Sequence, residues 1–285
     1  MCIILYVLDS DAKIINIVQR IQRVFYDGED GRGIGGILTD GSWHLMKGVD
    51  LTPIEVVAEL NRDYMNGAII HLRIATAGAI NYINTQPILS MNERVLLAHN
   101  GDFTSKAKVL LGFLKGVSER YRNYQVSSCI IRANKPSINN SYYYYNYYAY
   151  PLLHLQDEDS DGYAVSDSWV LTEFIGVMSK FYGEEELARA IYEMDVGNVV
   201  VQFRDGTVYF IGSFAVYDDL ISTVEVKTLD GYYLVGILKK KVNSDLEIVL
   251  QDRREKLRAK FKVKSKKKKK KRVWRNIAEF FTRYI

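Results

Sequence analysis

The chain has 285 residues, 48% of them hydrophobic, which is enough for one large core or for a domain with appendages. No apolar stretch is long enough to span a bilayer, and the opening CIILYVL is too short for an export signal and lacks its basic flank, so a cytoplasmic protein is expected. Two cysteines, Cys2 and Cys129, exclude a disulfide framework and show no metal-ligand spacing, so no metal and no cofactor is implied; the net charge of +4 splits into +13 for residues 252–285 and −9 for residues 1–251.

Seven consecutive apolar residues in CIILYVL predict a buried strand, with a turn at Asp9 to Asp11. AKIINIVQRIQRVF repeats apolar residues at helical spacing (Ile15, Val18, Ile21, Val24, Phe25) and predicts an amphipathic helix. In DGEDGRGIGGILTDGSWHLMKG two short strands are expected around an Asp40-Gly41 turn. LTPIEVVAELNRDYM predicts a helix with Thr52 as N-cap, Pro53 at its first position and Glu55 closing a capping box.

GAIIHLRIAT and RVLLAH read as buried strands joined by a loop containing Gln86-Pro87, and SKAKVLLGFLKGVSERY as a helix. Residues 122–160 are an irregular insertion in which SYYYYNYYAY places seven tyrosines between Tyr142 and Tyr150. Helices DSWVLTEFIGVMSKFYG and EEELARAIYEM follow, then strands in NVVVQFRDGTVYFIGSF and VEVKTLDGYYLVGIL with hairpin turns at Asp205-Gly206 and Asp230-Gly231. Strands grouped with strands and helices with helices argue for layered α+β packing rather than a doubly wound sheet.

Gly31, Gly33 and Gly36 satisfy the G-x-G-x-x-G spacing of dinucleotide-binding loops. That chemistry needs a helix N-terminus after the glycines to receive the pyrophosphate, whereas a strand and a hairpin turn are expected here. The glycines are read instead as permitting a closely packed strand.

Four further features are each ambiguous alone. Arg73 in HLRIATAG suits a structural ion pair, Asn100-Gly101 in LLAHNGDF a hairpin turn, Asp167 in SDSWVL a helix cap, and Cys2 the first residue of a strand. As an ordered set, Met1-Cys2, then His71-x-Arg73-x-Ala75-Thr76-x-Gly78, then His99-Asn100-Gly101, then Ser166-Asp167-Ser168, they resemble the class II glutamine amidotransferases, a family of N-terminal nucleophile hydrolases. The resemblance spans most of residues 1 to about 240, with close matches at the motif positions. It implies a four-layer α/β/β/α sandwich, an amidotransferase-like domain over residues 1–251 with the 122–160 insertion, and a basic tail over 252–285.

It also implies roles. Cys2, freed by removal of Met1, is the nucleophile, with its own α-amino group as base. Asn100 through its side-chain amide and Gly101 through its backbone N–H form the oxyanion hole. Arg73 pairs with the α-carboxylate of the substrate glutamine, Asp167 with its α-ammonium, and Thr76 lines the pocket.

The residue types make chemical sense of these roles. An α-amine near pKa ~7.7–8.0 beside a thiol near ~8.5 puts base and nucleophile in one residue. A zwitterionic substrate head asks for one anion and one cation, and a guanidinium grips a carboxylate through two parallel hydrogen bonds. Asn followed by Gly supplies two donors to a developing oxyanion.

The sequence also departs from the family: Ile3 stands where Gly is common, Asp102 where an apolar residue is usual, Ala77 where His is frequent, and FRDGTVY lacks the Arg-Asp-Pro-x-Gly stretch of the biosynthetic members. Too few residues follow Leu238 for a synthase domain, so the ammonia acceptor is expected on a partner protein. Two other readings stay open. One is an amidohydrolase acting on another γ-glutamyl compound. The other is a catalytically silent scaffold of the same fold.

The tail carries six consecutive lysines, Lys266 to Lys271, before a segment whose Trp274, Ile277, Phe281 and Tyr284 or Ile285 share one helical face. Such a tail suits nucleic acid, an anionic membrane, or a short helix docking on the body. Nothing in the sequence specifies an oligomeric state.

Overall fold

The computed structural model describes residues 2–8, 15–16, 18, 30–75, 78–127, 130–131, 163–226 and 229–252. In chain order the elements are β1 (Ile3–Val7), β2 (Arg32–Ile37), β3 (Trp43–Gly48), α1 (Pro53–Ala58), β4 (Ala68–Leu72), β5 (Gly78–Ala79), β6 (Ile88–Leu89), β7 (Val95–Asn100), α2 (Thr104–Val117), β8 (Tyr124–Val126), β9 (Ile130–Ile131) and β10 (Tyr163–Val165). They continue with α3 (Asp167–Met178), α4 (Glu184–Met194), β11 (Asn198–Phe203), β12 (Val208–Val216), β13 (Leu220–Ser222), β14 (Tyr232–Lys240) and β15 (Leu246–Gln251). Of the helix expected over residues 12–25, Ile15, Asn16 and Val18 are helical and the remainder lies outside the described residues. The tyrosine run and residues 253–285 also lie outside them.

Eleven strands form one antiparallel sheet in the order β3-β2-β4-β1-β13-β12-β11-β7-β6, with β14 joined to β12 and β15 to β14. Side chains alternate across a strand, so each strand feeds two different apolar clusters. Ile3, Leu5 and Val7 of β1 pack with Val56 and Val57 of α1 and with Leu60. Ile4 and Tyr6, on the other face, share a cluster with Ile69 of β4, Leu96 and Ala98 of β7, Val200 of β11 and Phe210 of β12. The β1–β4 end of the sheet therefore packs against its β12–β7 end. Val95 and Leu97 point the opposite way, into a third cluster with Leu110 and Leu114 of α2, Trp169 and Ile175 of α3, and Leu187 and Ile191 of α4. The result is an α+β architecture, as the grouping of strands and helices in the sequence led one to expect.

Local signals explain most element starts. Thr52 accepts from Glu55 N–H while the Glu55 carboxylate accepts from Thr52 N–H, a complete capping box worth about 1 kcal/mol. Helix α1 nevertheless ends at Ala58 rather than running to Met65, because Tyr64 bridges to Leu38 and Met65 N–H bonds Ile37 O, extending the β2 edge. The glycine-rich stretch forms β2 and leads into a hairpin, with no helix to receive a phosphate. A Cβ on Gly33 would lie 2.5 Å from Gln86 O and 2.7 Å from Lys47 Cβ, so glycine there lets a crossing segment approach the strand.

One hairpin expectation needs correction. Val224, Glu225 and Val226 are not in a strand, since the Val226 N–H is taken by the Tyr217 hydroxyl. Asp230-Gly231 therefore precedes β14 without joining two adjacent strands, and β14 pairs instead with β12 along its length. Strand β15, in LEIVLQ, has no counterpart in the sequence reading.

Candidate active site

Cys2, Arg73 and Asn100 are brought together by strand register. The β1–β4 ladder pairs Ile4 with His71 and Ile3 with Leu72, so its next step sets Cys2 against Arg73. Asn100 closes β7, and its side-chain Nδ2 donates to the Cys2 carbonyl at 2.7 Å. The Cys2 thiol is half-buried against the backbone of Ile74, donating to its carbonyl at 3.2 Å and accepting from its N–H at 3.3 Å. Burial pushes the thiol pKa above its ordinary value; the Ile74 N–H and the positive charge of Arg73 oppose the rise and Asp167 adds to it.

Arg73 is 3% exposed, and one of its guanidinium nitrogens donates to Ala79 O at 3.0 Å. Burial disfavours its charge, while Cys2, Asp30 and Asp167 favour it. Asp167 begins α3, which Ser166 caps by accepting from Trp169 N–H. One Asp167 oxygen accepts from Phe103 N–H at 3.1 Å and the other from Ser168 N–H at 2.8 Å, which ties the α3 start to the turn after β7.

Gly101 follows Asn100 at the sheet end. A Cβ on it would sit 2.0 Å from Val196 O and 2.7 Å from His99 Nε2, so no side chain fits. Thr76 lies outside the described residues.

Several residues of this region were missed by sequence reasoning. Asp30 accepts from Ala75 N–H at 2.8 Å. Residues 79–87 cross the site: Ala79 O holds Arg73, Thr85 O accepts from buried Lys47, and Asn84 bonds Ser166 N–H, Ala79 O and Ala164 O. Gln86 bonds His99 and Ser168. A polar loop such as INYINTQP carries no motif that marks these side chains as buried; only packing against β2, β7 and α3 does so.

No group of three or more His, Cys, Asp or Glu able to hold a metal occurs among the described residues, and no described helix is long and apolar enough to cross a membrane.

No family model matches the chain, and no curated protein matches it. Among solved structures it is similar to glutamine phosphoribosylpyrophosphate amidotransferase from B. subtilis complexed with ADP and GMP, at 17% identity and a TM-score of 0.46 over 87% of this chain and 50% of that one. It is likewise similar to a structure of the allosteric regulatory enzyme of purine biosynthesis, at 17% identity and a TM-score of 0.48 over 86% of this chain and 50% of that one. The chain thus matches about half the length of each.

Proposed function

We propose that the chain is a class II glutamine amidotransferase-like amidohydrolase that uses Cys2 to release ammonia from the side chain of glutamine. The observation that carries this reading is the 2.7 Å bond from Asn100 Nδ2 to the Cys2 carbonyl, which sets the expected oxyanion donor beside the expected nucleophile across 98 positions of sequence. An Asn amide has two N–H donors, so holding Cys2 with one leaves the other for an oxyanion. In this reading the fold is the four-layer α/β/β/α sandwich of N-terminal nucleophile hydrolases, the amidotransferase-like domain spans 1–251, and 252–285 is a separate basic tail.

The proposed chemistry starts with removal of Met1. The freed α-amine of Cys2 takes the thiol proton, and Sγ attacks the carboxamide carbon. Asn100 and the Gly101 N–H hold the resulting oxyanion. Collapse breaks the C–N bond, the ammonium proton passes to the leaving nitrogen, and ammonia departs. Water then attacks the thioester carbon, returning the thiol and glutamate. Arg73 grips the substrate carboxylate, and Asp167 its ammonium beside the positive end of α3. Thr76 lines the pocket, and the acceptor of ammonia is a partner protein.

Ammonia release from glutamine, measured with Cys2→Ala as control, tests the reading. Cys2-dependent release is expected, with Asn100→Ala lowering kcat about 10²- to 10³-fold. An intact mass that retains Met1, or ammonia release that survives Cys2→Ala, would overturn it. Glutamate formed without competition by γ-glutamyl compounds would set aside the alternative substrate.

A further inference from the structure

We propose that Gln86 is a positioning residue: its carboxamide clamps the end of β7, which carries Asn100-Gly101, to the start of α3, which carries Asp167, and fixes the direction of a buried hydrogen-bond chain through Ser168 and His99. Gln86, Ser168 and His99 are 4%, 4% and 1% exposed, so their polar atoms depend on one another.

Both ends of the chain are backbone groups with one possible role each. The His99 N–H can only donate, so the Gln86 atom facing it is Oε1, and Nε2 is left to donate to Ser168 Oγ at 3.2 Å. At the other end Val196 O can only accept, so His99 Nε2, 2.7 Å away, carries the ring proton. In the proposed chain Nδ1 is the acceptor of the Ser168 hydroxyl proton, 2.9 Å away. The chain runs from the His99 N–H through Gln86, Ser168 and the His99 ring to Val196 O.

This direction matters for Asp167. The Ser168 hydroxyl lies 3.4 Å from Asp167 Oδ1, within reach as a second donor. While Gln86 donates to Ser168 and His99 accepts from it, that proton points away from the carboxylate. The lone pairs of Asp167 not engaged by the Phe103 and Ser168 N–H groups are thereby kept for a substrate cation. This consequence for the substrate rests on the proposed function; the direction of the chain does not.

A glutamate in place of Gln86 reverses the middle of the chain. Its carboxylate accepts from His99 N–H and takes the Ser168 proton as well, so His99 Nδ1 must acquire a proton of its own to pair with Ser168 Oγ.

The test is ¹⁵N spectroscopy of the histidine rings, with His99 assigned against His44→Gln, His71→Leu and His154→Gln. We expect wild-type protein at pH 7 to show His99 protonated at Nε2 and bare at Nδ1, and Gln86→Glu to show both nitrogens protonated. A wild-type His99 carrying its proton on Nδ1 would overturn the proposal without recourse to any variant. So would a folded Gln86→Glu protein with an unchanged ring. Under the amidotransferase reading Gln86→Leu, which releases the end of β7 from the start of α3 where Asp167 sits, raises KM for glutamine about tenfold with a smaller change in kcat. Absence of glutamine turnover in the wild type would defeat that reading and leave the ring measurement intact.

Discussion

Where β7 meets α2 and α3, Glu173 is 1% exposed, yet one carboxylate oxygen accepts from Met91 N–H at 2.8 Å and the other from the Tyr121 hydroxyl at 2.9 Å. On the opposite face, where the two ends of the sheet meet, His71 and Gln202 are fully buried and none of their side-chain nitrogens or oxygens has a hydrogen-bond partner among the described residues. The His71 ring lies near enough to the His99 backbone to feel it without reaching hydrogen-bond geometry. The helical face thus solves its buried charge by pairing, because turns and loop ends supply free N–H groups. Between two sheet surfaces most backbone groups are already engaged in ladders, and a polar side chain there finds little besides apolar neighbours.

The difference predicts opposite pH dependences, and the largest effect belongs to His71. Burial lowers its pKa from 6.5 to about 3, so the folded state binds fewer protons than the unfolded one in that interval. Stability present above pH 6.5 is lost as the pH falls toward 3, by at most about 5 kcal/mol at about 1.36 kcal/mol per unit. Urea melts across this range should show that limb, and His71→Leu should flatten it. A limb of the same size in His71→Leu would assign the acid sensitivity elsewhere.

Glu173 has the reverse sign. Burial raises its pKa from 4.5 to about 7, so its contribution is fully present below 4.5 and lost as the pH rises through 7. Glu173→Gln should remove this dependence. Glu173→Leu, which strands the Tyr121 hydroxyl and the Met91 N–H, should cost about 3 kcal/mol at pH 6. If the leucine variant is as stable as wild type, pairing is not what makes this buried carboxyl tolerable.

The smallest effect is expected at Gln202. Replacing it with Leu removes an unpaired amide without leaving a partner behind, and should stabilise the fold by about 1 kcal/mol in urea melts at pH 7. A loss of that size instead would show that the amide has a partner in solution, and would weaken the contrast between the faces.

Much of the architecture was legible beforehand. Strands β1, β4, β7, β11 and β12 and helices α2, α3 and α4 follow from apolar runs and helical spacing, because a segment must hide its own apolar residues whatever it packs against. The errors fall where long-range pairing decides the outcome. Helix α1 stops early because Tyr64 and Met65 are drawn to the β2 edge. Residues 224–226 leave the sheet because the Tyr217 hydroxyl takes the Val226 N–H.

By itself the sequence determined which residue types stand at the strand ends and the α3 start: Cys2, Arg73, Asn100-Gly101 and Asp167. Only the tertiary structure decided that Cys2 faces Arg73, that Asn100 reaches the Cys2 carbonyl, and that Gln86 ties the two segments together. The physical reason is range. Hydrophobic period and capping act over a few residues and are written locally, whereas strand register and the pairing of a buried amide are chosen by groups tens of positions away. No local pattern could have singled out Gln86, which is an ordinary loop residue until its neighbours exclude water from it.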